Sequence, residues 1–158
     1  MNLINFWLFL HILGAIIGLG TLLSFAIIGI VAEKNPGHLA FVAKLNEALS
    51  NRLVMPFMLS MPVTGIALIV SAHINLTKAK WLGAAIVLYL IGIGVGLGHQ
   101  RPNGMKILRL AEAQGDTPGP PSAEIMALIK KQKSGGIVVT VLFLAVLFLM
   151  VFKPGGMG

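Results

Sequence analysis

The sequence contains no cysteine and few charged residues. Of its 158 residues, 11% are charged and 56% are hydrophobic. A soluble domain is usually about one-quarter charged, so this chain has too little polar surface to cover a water-soluble globule. The absence of cysteine excludes a disulfide scaffold. Together with a mean hydropathy of +0.90, these properties indicate an integral membrane protein.

Four segments have the length and apolarity of membrane-spanning helices. A bilayer core about 30 Å thick needs roughly 20 mostly apolar residues in a helix. The segments are residues 6–31, 53–72, 81–98 and 137–152, and none contains Asp, Glu, Lys or Arg. They predict an all-α integral membrane four-helix bundle forming a single transmembrane domain, 1–158. The first segment exceeds a signal-peptide apolar region of ~7–15 residues, so we expect it to be retained.

The lysines and arginines outside the spans predict the orientation. One face carries nine of them: Lys34, Lys44, Arg52, Arg101, Lys106, Arg109, Lys130, Lys131 and Lys133. The other carries three: Lys78, Lys80 and Lys153. Because cytoplasmic loops are enriched in Lys and Arg, both termini are predicted outside (N-out/C-out), in a multi-pass protein of the bacterial inner membrane. The net charge of +7 is thus a topology signal, and we expect no nucleic acid partner.

The two cytoplasmic loops are predicted to contain short amphipathic helices. In residues 38–49, Phe41, Leu45 and Leu49 recur at four-residue spacing, which is typical of a helix lying on a membrane surface.

The second of these loops is predicted in three parts. Residues 105–113 form a polar extension of span three, and the Pro- and Gly-rich residues 115–121 break it. Ser122 is predicted as the N-cap of a short helix that ends in the cluster Lys130–Lys133, where basic charge suits a helix C-terminus and an anionic leaflet.

Glycines recur on spans one and three. Span one has Gly14 and Gly18, with Gly20 beyond; span three has Gly92, Gly94, Gly96 and Gly98. Small residues let membrane helices approach closely. These glycine-rich helix faces predict close packing within the bundle. The alternative is that one of them contacts another membrane subunit or a flat cofactor.

Span two contains two prolines, Pro56 and Pro62, each of which removes a backbone hydrogen bond. We expect the Ser60 and Thr64 hydroxyls to satisfy the freed carbonyls. Met55, Met58 and Met61 recur at every third position of this span. Such a row favours gap filling beside an irregular helix, with Cu(I) binding as the alternative.

His11 is the most informative polar residue within a span. An ionisable side chain there indicates function, and imidazole is a common haem and metal ligand. If two histidines share a haem iron, the topology selects His11 with His73, since both lie towards the outer face. The alternative is that His11 hydrogen-bonds a neighbouring hydroxyl or carbonyl while His73 meets water. His38 and His99 are expected to be solvated loop or interface residues.

Three stretches carry a family resemblance: Phe9-Leu10-His11-Ile12-Leu13-Gly14, Pro62-Val63-Thr64-Gly65, and Leu149-Met150-Val151-Phe152-Lys153-Pro154. With the order of the spans, they resemble an uncharacterised bacterial family described as predicted integral membrane proteins. That family is similar to a broader four-span group that includes copper-resistance protein D and the J-type protoporphyrinogen oxidase. The resemblance implies haem b ligation by a first-span histidine, and His11 is the residue that matches.

These observations predict a small haem b protein that transfers electrons near the outer face of the lipid bilayer. His11 and His73 are the predicted iron ligands, and Gly14 and Gly18 are predicted to let the porphyrin approach the backbone. The alternative is a non-catalytic accessory or assembly subunit of a larger membrane complex.

The predicted orientation is testable because the chain has no cysteine of its own. In intact cells, an impermeant thiol reagent is expected to label Gly155→Cys fully and to leave Ser122→Cys unlabelled until the membrane is permeabilised. The reverse pattern would invert the topology.

Overall fold

The computed structural model describes residues 2–115 and 120–155, which contain helices and no strands. The α-helices are α1 (Leu3–Lys34), α2 (Leu39–Leu49), α3 (Met55–Ser71), α4 (Lys80–Val95), α5 (Arg101–Gln114) and α6 (Ala123–Phe152). The π-helical segments Ser50–Val54 and Gly96–Gln100 join α2 to α3 and α4 to α5.

Four continuous helices are long and apolar enough to cross a membrane: Leu3–Lys34, Pro36–Ser71, Lys80–Gln114 and Ala123–Phe152. Each contains one predicted span, so the all-α, four-span architecture is confirmed. At 1.5 Å per residue, helices of 30 or more residues exceed a hydrocarbon core about 30 Å thick. Their polar ends therefore extend beyond the apolar part of a bilayer.

The bundle consists of two tightly packed helix pairs. α1 packs mainly on α3 and α4 packs mainly on α6; the pairs are joined by a contact between α2 and α5 and by a smaller one between α1 and α6. Two ion pairs connect the polar ends: Lys133 with Glu33 at 2.7 Å and Lys44 with Glu112 at 3.1 Å. Because these side chains are exposed, each pair contributes about 1 kcal/mol or less, and apolar packing holds the bundle together.

Both π segments occur immediately before an X-Pro pair, Met55-Pro56 and Arg101-Pro102. A proline lacks the N–H of an α-helical turn, and its ring clashes with the carbonyl four residues earlier. In the wider π turn, the Met55 N–H bonds to the Ser50 carbonyl and the Arg101 N–H to the Gly96 carbonyl, five residues back. The π turns thus let both helices continue through a proline at the polar end of the span.

The loop helices differ from expectation in their connections. α2 covers the predicted helix of residues 38–49 and leaves Phe41 exposed, but it continues through the π segment into α3. The Ser122 hydroxyl accepts from the Ile125 N–H at 3.3 Å, which confirms the predicted N-cap. The predicted helix end at Lys130–Lys133 is wrong, because α6 continues to Phe152.

The physical reason is that no proline follows the lysine cluster, and Gly135 and Gly136 stay helical where polar side chains of another helix lie against them. The predicted break at residues 115–121 falls partly on 116–119, outside the described residues; α5 ends at Gln114, before it.

Pro62 leaves the Met58 carbonyl without its helical donor, and α4 supplies a replacement. The Tyr89 hydroxyl donates to that carbonyl. The Ser60 hydroxyl donates instead to Phe57, and Thr64 donates to its own helix at Ser60 and Met61. The expectation that the Ser60 and Thr64 hydroxyls satisfy the freed carbonyls is therefore wrong. The freed carbonyl of Met58 is satisfied by Tyr89 of another helix.

Tyr89→Phe is expected to lower the free energy of unfolding by about 1 kcal/mol, because it strands the Met58 carbonyl while keeping the aromatic contact with Phe143. In a Pro62→Ala background, where the helical N–H is restored, the same change should cost close to nothing. Denaturation in detergent measures both effects, and equal costs in the two backgrounds would contradict this role of Tyr89.

Candidate functional site

His11 lies at the contact between α1 and α3. Its Nδ1 is 2.9 Å from the Thr64 Oγ1. A Cβ added to Gly65 would lie 3.6 Å from the His11 Cε1, so the ring lies against the part of α3 where the backbone carries no side chain. The interpretation in which His11 hydrogen-bonds a neighbouring hydroxyl is thus observed.

The contact between His11 and Thr64 has two possible hydrogen-bond arrangements. Thr64 Oγ1 lies 2.9 Å from the His11 Nδ1, 3.2 Å from the Ser60 carbonyl and 3.1 Å from the Met61 carbonyl, and a hydroxyl has one proton. If that proton bonds a carbonyl of the preceding turn, the His11 Nδ1 donates to Thr64 Oγ1 and Nε2 keeps a lone pair. If it bonds Nδ1, the proton of the imidazole lies on Nε2.

His73 lies at the end of α3 and has a different structural role from His11. It follows the last turn of α3, with φ 51°, and the Ile74 N–H bonds to the Ile69 carbonyl at 3.0 Å. This is a Schellman termination with His73 at the left-handed position. Nine residues of rise, about 13.5 Å, separate His73 from Thr64 along the helix. An iron shared between His11 and His73 stays a prediction.

The two glycines predicted to admit a porphyrin have different surroundings. A Cβ at Gly14 would lie 2.9 Å from the Met61 Sδ, whereas one at Gly18 would meet nothing within 4 Å. Met61 thus fills the space beside Gly14, as the gap-filling interpretation of the methionine row predicts. On span three, Gly92 similarly meets the Phe143 ring at 3.1 Å, and Gly94, Gly96 and Gly98 are open.

A second polar cluster lies at the opposite end of the bundle, between the α4–α5 junction and α6. Asn103, only 7% exposed, donates from Nδ2 to the Leu128 carbonyl at 3.0 Å and to the Gln132 Oε1 at 2.7 Å. The Gln100 Nε2 donates to the Gln132 carbonyl at 3.1 Å. These bonds join the side chains of Gln100 and Asn103 to α6 at Leu128 and Gln132.

Gly135 gives this cluster its space. A Cβ there would lie 2.7 Å from the Gln100 Oε1 and 3.1 Å from the His99 Nδ1. Within residues 2–115 and 120–155, both of those buried atoms lack a hydrogen-bond partner. The expectation that His99 is a solvated residue is therefore wrong for Nδ1. The spacing of His99, Gln100 and Asn103, on one helical face opposite the Gly135-Gly136 pair, is the sequence signal that identifies the cluster.

Asn103→Ala is expected to lower the free energy of unfolding by about 1–3 kcal/mol, because it removes two hydrogen bonds of a buried amide and leaves the Leu128 carbonyl and the Gln132 Oε1 without this donor. Asn51→Ala, at an exposed position of the other π segment, is the matched control and should change stability by less than about 0.5 kcal/mol. Thermal unfolding in detergent compares them; equal shifts would show that Asn103 makes no special contribution.

Comparison with known proteins agrees with the architecture. The model of one protein family, described as Predicted integral membrane protein (DUF2269), matches residues 6–154. No curated protein and no solved structure matches the chain. Since the family match covers nearly all four spans, the chain belongs to this family of integral membrane proteins.

Proposed function

We propose that this chain is a haem b protein of the bacterial inner membrane, in which His11 is the axial ligand, and that it transfers electrons near the predicted outer face. The observation that carries the proposal is the 2.9 Å contact between His11 Nδ1 and Thr64 Oγ1. Metal-binding histidines usually donate their other ring N–H to a fixed acceptor, which orients the ring and sets the tautomer. Thr64, 7% exposed, is such an acceptor.

The donor set favours haem over a bare metal ion. Among the described residues, no group of three or more His, Cys, Asp or Glu is placed to hold a metal ion. A single histidine can hold a metal ion only when the bound group itself supplies the other donor atoms, and a porphyrin supplies four nitrogens. Bound haem would supply one-electron chemistry.

Residues of this chain would orient and shield the ring of His11, the proposed iron ligand. Thr64 would hold the Nδ1 proton through its contact with the α3 backbone, and Gly65 leaves room beside Cε1. Because Met61 occupies the space over Gly14, a porphyrin would approach Nε2 without lying on Gly14. His73, the second predicted ligand, lies about 13.5 Å further along α3 than Thr64, so the proposal rests on His11.

The optical spectrum of the protein purified from haem-replete cells tests the proposal. We expect a Soret band that shifts on reduction with dithionite and a haem b spectrum after pyridine extraction. His11→Gln should lose the haem spectrum while the protein stays folded, because glutamine keeps a hydrogen bond to Thr64 and ligates iron poorly. His73→Gln and His99→Gln are expected to retain it.

Thr64→Val separates ligation from packing. Valine has nearly the same shape but cannot accept from Nδ1, so haem affinity should fall about 10–100-fold, the usual effect of losing a residue that orients a ligand. Thr21→Val is the matched control, because within the described part of the chain the Thr21 hydroxyl bonds only to the Ile17 carbonyl of its own helix. A colourless protein, or a spectrum unchanged in His11→Gln, would contradict the proposal.

An accessory or assembly subunit is the second candidate, and one surface favours it. Gly94 on α4 and Gly98 in the following π segment are four residues apart, are exposed, and have nothing within 4 Å of their Cβ positions. Spacing of this kind is typical of close contacts between membrane helices. Under this proposal, the wild type co-purifies with a stoichiometric membrane partner, and Gly94→Leu releases it. A monodisperse single-component particle for the wild type would contradict it.

A further inference from the structure

We draw no further inference here: the strongest candidate, the pair of buried polar atoms His99 Nδ1 and Gln100 Oε1 that face Gly135 between the α4–α5 junction and α6, belongs to the polar cluster already described, and nothing in residues 2–115 and 120–155 shows which hydrogen-bond donor would reach these two atoms.

Discussion

The structure depends on one constraint: within an apolar surrounding, each backbone N–H and C=O needs a partner from the protein itself. Helices meet this constraint everywhere except at proline, and span two contains a proline in its interior. The Tyr89 hydroxyl takes over the carbonyl that Pro62 frees, and so connects the two helix pairs of the bundle at that level. Where proline falls at the polar end of a span, a π turn redirects the preceding N–H, and no partner helix is needed.

The same constraint explains where the few polar side chains of the spans are directed. Thr21, Ser24 and Thr140 donate to carbonyls of the preceding turn in their own helices. Thr64 does so as well, but its oxygen also contacts His11 on another helix. If the Thr64 proton bonds its own helix, the His11 proton lies on Nδ1, and this is the tautomer on which the proposed ligation through Nε2 depends.

The spans were predictable because lengths and hydropathy are local properties, and the N-cap at Ser122 followed from local chemistry. The hydrogen-bond partners of the His11 ring and of the Met58 carbonyl could not be predicted, because they depend on which helices become neighbours. The sequence suggested a hydroxyl partner for both groups. In the packed bundle, Thr64 contacts His11 and Tyr89 donates to the Met58 carbonyl. His99 was misjudged because its position at a span end indicates exposure, whereas Gly135 on a distant part of the chain allows α6 to cover its Nδ1.

The central claim is that Thr64 holds the proton of His11 on Nδ1 and leaves Nε2 free for a ligand. Nitrogen-15 NMR of histidine-labelled protein before haem addition tests it directly, with the His11 resonances assigned by their loss in His11→Gln. The account predicts a neutral imidazole with the proton on Nδ1, and a loss of that tautomeric preference in Thr64→Val. A proton on Nε2 of His11 in the wild type would contradict it.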